Sequence, residues 1–204
     1  MSDRAWMSAI MGDSSIGDKQ GIRIKYYNTE WEPAKHQIPL KPPHVWDALN
    51  KYYAGYALTQ QELPEAIALW NRGCFRRTKE FFLGGFVYAV RGKLAEVLSE
   101  FNLGEKGGLV PFNIIQDDVK TPLDGKYFYL NWDGHKDTFL PEKSQNVELF
   151  ARNAEKDIEW WDPSLDAVDK DIALSSSALP GADLWIEKRV RRKLFMSDRL
   201  VTRL

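Results

Sequence analysis

The residues whose types and spacing could best do chemistry are Asp133-Gly134-His135-Lys136-Asp137, where an imidazole stands between two carboxylates in a glycine-containing turn. Imidazole and carboxylate both bind metals, and a histidine near neutral pH is also a general base, so the loop could hold a metal or take a proton. A small hydrolase or metal-dependent enzyme using Asp133, His135 and Asp137 is therefore one reading. The same residues also make an ordinary solvated loop, and no further side chains that would close a site can be identified along the chain. Ser175-Ser176-Ser177 lacks the glycine-flanked elbow that projects a hydrolase nucleophile, and with three histidines in the chain no triad stands out. Gly84-Gly85 and Gly107-Gly108 lack the spacing that aims backbone amides at phosphate, and they read as a bulge and a turn. The single cysteine, Cys74, excludes an internal disulfide and any multi-cysteine metal knuckle; it reads as a buried, inert thiol and fits a reducing compartment. These residues favour a protein that is not an enzyme and carries no metal or cofactor.

Binding chemistry is better represented. Glu148, Glu155, Asp157, Glu159, Asp162, Asp166, Asp169 and Asp171 are offset only by Arg152, Lys156 and Lys170. Inside this acidic stretch, Trp160-Trp161-Asp162-Pro163 sets two indoles side by side, and adjacent side chains of a strand face opposite ways. One indole can then be buried while the other anchors a partner among carboxylates, since aromatic residues dominate interface hot spots and matched charge speeds encounter. The alternative is a core tryptophan beneath a solvated face. Candidate partner-binding residues are therefore Asp157, Glu159, Trp160, Trp161, Asp162 and Asp166, with Asp133 and His135. A basic cluster follows, Lys188, Arg189, Arg191, Arg192, Lys193, Arg199 and Arg203. It is short and carries no RNA-binding signature, so a solvated face or an intramolecular charge match is favoured over nucleic acid.

The elements that must position these residues read as follows. The chain has 204 residues, an ordinary apolar content and a net charge of −1, which suits one folded domain and excludes a bulk polyanion binder. Residues 1–20, rich in Ser, Gly and Asp with methionines at 1, 7 and 11, read as a flexible arm outside the core, tag-derived or offering a choice of start sites; residues 21–204 read as a single domain. The arm lacks the basic start and apolar run of a secretory signal, and no apolar segment reaches the roughly 20 residues of a spanning helix, so the expectation is a soluble, cytoplasmic protein. Alternation predicts a strand over 22–27, and residues 33–43 form a proline-punctuated connection. Helical periodicity marks 45–56, 59–72 and 94–101. Residues 81–90 read as a strand broken by Gly84-Gly85, and 109–115 and 126–131 as strands joined through a turn at Asp124-Gly125. Shorter strands are expected over 147–151, 157–161, 171–174 and 183–187. The fold class is α+β, with a largely antiparallel sheet, helices segregated to one side, and those helices mainly in the N-terminal half.

Near the end, Ser197-Asp198 caps a helix that has just begun at Leu204, either a short last helix or one cut by the boundary. The segment 194–204 echoes 88–98: strand, two-residue junction, basic residue, leucine, and leucine four later. By themselves two such junctions are coincidence.

Taken in order, Phe86-Val87-Tyr88-Ala89-Val90, Lys93-Leu94, Leu109-Val110-Pro111-Phe112, Lys126-Tyr127-Phe128-Tyr129-Leu130-Asn131, Glu142-Lys143-Ser144, Asp183-Leu184-Trp185 and Leu194-Phe195-Met196-Ser197-Asp198-Arg199-Leu200 form a pattern. It resembles immunity family eleven of bacterial polymorphic toxin systems, over residues 81–204. This sequence carries Arg91-Gly92 where that family tends to repeat the Ser-Asp/Glu junction. The resemblance implies a cytoplasmic protein that binds the toxin encoded by a neighbouring gene and blocks it by stoichiometric inhibition, with no direct contact to nucleic acid or membrane. Toxins of this kind are commonly delivered by contact-dependent or type VI secretion and act on cytoplasmic targets. Against a basic nuclease-like toxin, the acidic stretch 148–171 could mimic phosphate. A non-enzymatic adaptor module remains the other non-catalytic reading.

Overall fold

The structure, a computed structural model, describes residues 4–8, 10–13, 16, 20–33, 41–155, 157–164 and 166–204. Its described strands are β1 (Ala5–Ser8), β2 (Ile22–Lys25), β3 (Ala66–Leu69), β4 (Phe81–Gly84), β5 (Val87–Arg91), β6 (Gly108–Phe112), β7 (Ile114–Ile115), β8 (Tyr127–Asn131), β9 (His135–Lys136), β10 (Val147–Asn153), β11 (Ile158–Pro163), β12 (Leu184–Glu187) and β13 (Leu194–Ser197). Its described α-helices are α1 (Pro43–Tyr53), α2 (Arg72–Phe75), α3 (Gly92–Leu98) and α4 (Asp198–Arg203). None of these helices is long and apolar enough to cross a membrane.

The strands form sheets ordered β1-β13-β12-β9, β2-β3-β7, β4-β5-β8-β6 and the two-stranded β10-β11. Pairing is antiparallel except where β9 joins β12 and β7 joins β3. The α+β class and antiparallel-rich sheets agree with the sequence. The concentration of helices in the N-terminal half does not hold, because strands dominate both halves and α2 is a single turn. The helix expected over 59–72 is instead a turn followed by β3, a central strand between β2 and β7. Ile67, Ala68 and Leu69 are all buried, and a strand covered on both faces loses the alternation that would distinguish it from a helix. Residues 171–174 make only an isolated bridge between Leu174 and Phe139. The Asp171 carboxylate accepts from Val168 N at 2.9 Å and Asn146 Nδ2 at 3.0 Å, a local turn that competes with strand pairing.

Two further expectations change. Within segment 1–20, Ala5–Ser8 pairs with β13 as an edge strand, so this part belongs to a sheet; residues 1–3, 9, 14, 15 and 17–19 lie outside the described residues. Gly84 ends β4 and Gly85-Phe86 is the turn of the β4–β5 hairpin, with Gly85 at φ +93°, where a side chain would be strained. Residues 34–40 of the proline-punctuated connection are also outside the described residues.

The sheet β1-β13-β12-β9 is covered on both faces. Leu184, Ile186 and Leu194 face a large core containing Tyr52, Val87 and Trp132, whereas Trp185 and Phe195 face a smaller cluster with Phe139, Ala178 and Val190. Its last strand runs directly into α4, and Asp183 holds that junction. Ser197 Oγ donates to Asp183 Oδ1 at 2.6 Å and accepts from Leu200 N at 3.3 Å as the helix N-cap. Arg199 closes a fork on both Asp183 oxygens, and Asn102 N donates to Oδ2 at 2.9 Å. Burial works to raise the Asp183 pKa, but the bonds from Arg199, Ser197 and Asn102 outweigh it and hold the carboxyl below its ordinary range. Asp183→Asn should destabilise the fold by about 1–3 kcal/mol at neutral pH, because it replaces one accepting oxygen of a buried carboxylate with an amide donor facing the Arg199 and Asn102 donors. A carboxyl with a depressed folded pKa contributes stability above its unfolded pKa and loses it as pH falls through the folded value. The gap in urea midpoint between wild type and this variant should therefore be full at pH 6 and shrink towards pH 2; a gap independent of pH would contradict this role.

Candidate functional site

An open groove of about 870 Å³ lies between the end of α1, the β10–β11 hairpin and the turn after β12. Its first wall follows from how α1 stops. Tyr56 N donates to Lys51 O and Gly55 N to Tyr52 O, a Schellman closure that needs Gly55 in the left-handed region, at φ +89°. A Cβ on Gly55 would also press on Gly134 O, so the chain crosses β9 at backbone contact. The crossing lays the Tyr56 ring on His135 with centroids 4.1 Å apart, and leaves Tyr56 43% exposed at the groove.

The second wall is the β10–β11 hairpin. Its register pairs Leu149 with Trp161 and Ala151 with Trp160, and the irregularity between them is a bulge at Phe150. One face turns Trp161 inward against Phe139, at 6.4 Å between centroids, while Trp160 lines the groove on the other. Trp161 N donates to Arg189 O and Arg191 N to Trp161 O, which staples the hairpin to the turn after β12. Arg191 then pairs with Asp162 at 2.7 Å and lies 3.3 Å over the exposed Phe150 ring. Lys188 and Arg192 complete that rim. Burial raises the Tyr53 phenol above its ordinary pKa, opposed by the hydrogen bond from Tyr88 and the positive charge of Arg192.

Of the residues expected to bind, Trp160 and His135 share this groove, and Asp162 braces its edge through Arg191. Trp161 is half-buried and structural, with an indole N–H buried and unpaired among the described residues. Glu159 is engaged by Arg152 at 2.6 Å, on the opposite strand. Asp157 and Asp166 are exposed on turns, and Lys156, one of the cations beside them, lies outside the described residues. The basic tail proves largely matched within the chain: besides Arg191 and Arg199, Arg203 pairs with Glu100, and Lys188 and Arg189 both meet Asp137.

The loop that could have been catalytic is pulled apart by its own bonds. Asp133 accepts from Ala57 N at 3.2 Å and Lys106 N at 3.0 Å, splinting two loops. Asp137 holds Lys188 and Arg189, and His135 stacks on Tyr56. Lys136 donates to the carbonyls of Ala178, Pro180 and Ala182 over the Trp185 ring, which uses all three of its ammonium hydrogens. No group of three or more His, Cys, Asp or Glu side chains among the described residues could hold a metal ion. Ser175 and Ser177 hydrogen-bond each other at 2.6 Å.

The groove residues that the sequence did not single out are Tyr53, Tyr56 and Phe150. Tyr53 and Tyr56 fall within the helical periodicity of 45–56, but the helix ends at Tyr53. Phe150 breaks the alternation of Val147, Leu149 and Ala151, and that break was the available sign of the bulge. The chain matches no protein-family model, and no curated protein matches it.

The two indoles should separate by stability. Trp161→Ala should cost about 2–3 kcal/mol by emptying the hairpin's inward face, whereas Trp160→Ala should cost less than about 1 kcal/mol. Urea midpoints of the two variants measure this, and equal losses would refute the division of roles.

Proposed function

We propose that this chain is an immunity protein: a non-enzymatic, cytoplasmic binder that neutralises a toxin encoded by a neighbouring gene, by stoichiometric association. The observation that carries the reading is an apolar surface exposed on the β10–β11 hairpin beside a groove. Leu149 and Phe150 are 50% and 57% exposed on the hairpin, and Phe150 lines the groove together with Trp160. Large apolar groups gathered on one exposed hairpin mark an interaction surface more often than chance exposure, and aromatic anchors are the usual hot spots. The ordered junction motifs support the reading from the sequence, because they resemble immunity family eleven.

The enzymatic alternative draws little support from the geometry, since Asp133, His135 and Asp137 serve three separate sets of contacts. Neutralising a toxin demands slow dissociation, and slow dissociation comes from well-packed anchors more than from rim charge. That places the weight on Trp160 and its neighbours.

Co-expression with the C-terminal domain of the adjacent gene tests the reading. Growth should be rescued and the two chains should co-elute at equal stoichiometry. Trp160→Ala should weaken the complex by at least about 30-fold, the effect of losing one hot-spot residue. Rescue without a stable complex would sink stoichiometric inhibition and point to an antidote that reverses the damage.

A further inference from the structure

The groove is charged opposite to the acidic stretch that forms one of its walls. Lys188, Arg191 and Arg192 line it, and the one acid among the lining residues, Glu187, is 1% exposed with its carboxylate turned away. Glu187 accepts from Thr138 N at 2.9 Å, from Thr138 Oγ1 and from Trp185 Nε1 at 3.1 Å. Counting outward to the paired groups, Lys188, Arg189, Arg191 and Arg192 meet only the carboxylates of Asp137 and Asp162 among the described residues, so positive charge is in excess at the groove. Arg192 is exposed and meets no carboxylate among the described residues. Trp160 is half-buried and lines the groove with these cations.

We propose that this groove receives an acidic segment of the partner protein, with an apolar residue against Trp160 and a carboxylate at Arg192, beside the ion-paired Lys188. This rests on the immunity reading and specifies the partner's side of it: the recognised element is anionic, where the sequence pointed to a basic one. The acids that were expected to meet a basic toxin are partly neutralised internally, Asp162 by Arg191, Glu159 by Arg152 and Asp171 by its turn. Fields from such pairs cancel beyond a few ångströms, so within the groove itself the exposed Arg192 guanidinium sets the sign of the local charge.

A protein segment fits better than a nucleic acid. A phosphate backbone needs a track of unpaired cations, whereas Lys188 and Arg191 already share carboxylates, and Glu148 stands opposite Asp162 at the root of the hairpin. One or two carboxylates beside an apolar side chain suit a site with one unpaired arginine. Tyr, Trp and Arg walls are also the composition of protein hot spots.

The test uses the full chain and fluorescence anisotropy. One labelled peptide of 12 residues carries Asp and Glu around a central Phe, a second carries Lys in their place, and a third probe is a 12-nucleotide oligothymidylate. The acidic peptide should bind, weaken with added salt, and lose at least tenfold in affinity in Arg192→Glu and in Trp160→Ala. Lys120→Glu, an exposed charge on a remote turn, should change nothing. Urea midpoints matching wild type show that the variants are folded, and Lys188→Glu gives an independent second loss. No binding of the acidic peptide, or equal binding of the lysine peptide, overturns the proposal; tighter binding of the oligothymidylate overturns it in favour of nucleic acid. If the toxin domain forms a complex that Arg192→Glu leaves unchanged, the groove assignment falls and the immunity reading stands. If no neighbouring domain binds but the acidic peptide does, the groove stands and the immunity reading falls.

Discussion

Tyr52 and Trp132 stack with ring centroids 4.3 Å apart at the fully buried centre of the large core, and each is also bonded to the main chain of the other's surroundings. Tyr52 Oη donates to Leu130 O at 2.8 Å and accepts from Tyr88 N at 3.2 Å, while Trp132 Nε1 donates to Tyr52 O at 3.0 Å. A buried hydroxyl or indole N–H is costly unless paired, so these bonds fix the rotation of α1 and its advance along β8 as well as its distance from the sheet. The neighbours of Trp132 extend the same restraint. Asn131 clasps both backbone groups of Leu58, and Asp133 accepts from Ala57 N. The turn at Gly55-Tyr56 is therefore held between two fixed points, and the placement of Tyr56 over His135 follows from that.

The groove joins parts of unequal firmness. The wall from α1 belongs to the large core, where neighbouring elements share many buried side chains. Among the described residues the hairpin wall has no third strand; it is attached by the Trp161 bridge, the inward contact with Phe139 and the Asp162–Arg191 pair. An element with few buried contacts and exposed backbone opens at lower free energy than the core. A partner that fills the groove would bind both walls at once and stabilise the hairpin through them. That division would suit a recognition surface, with the firmer wall setting the register of an occupant and the hairpin free to adjust to it.

What could be read in the sequence was local. The Ser197 cap, the helix beginning in the proline-flanked segment, and the strands around Gly84-Gly85 each follow from a few adjacent residues. The opposite orientation of Trp160 and Trp161 followed from strand alternation alone. What could not be read was set by distant partners. The strand β3 lies between β2 and β7, whose pairing partners are separated from it by tens of residues, and its continuous burial hides its period. The charge of the site could not be obtained from the acidic stretch either, because Asp162 and Glu159 were to be discounted only once Arg191 and Arg152 were known to lie against them.

The two strand-to-helix junctions show how one local form arises from different chemistry. At β13–α4 the cap is Ser197 itself, whose hydroxyl also reaches Asp183. At β5–α3 the junction is Arg91-Gly92, and the first helical amides are capped from outside: Glu80 accepts from Lys93 N at 3.1 Å and from Leu94 N at 2.9 Å. Gly92 is at φ +60°, and a Cβ there would collide with the Glu80 carboxylate, so the glycine is what admits the external cap. Arg91 turns back to Thr78 and lies over the Phe75 and Phe82 rings, holding the segment that carries Glu80. Arg91-Gly92 thus starts its helix with a capping group supplied by Glu80, where Ser197-Asp198 supplies its own. The likeness of segments 88–98 and 194–204 follows from a shared need, a strand that turns at once into a helix over the core and must satisfy its first amides, and requires no repeated unit.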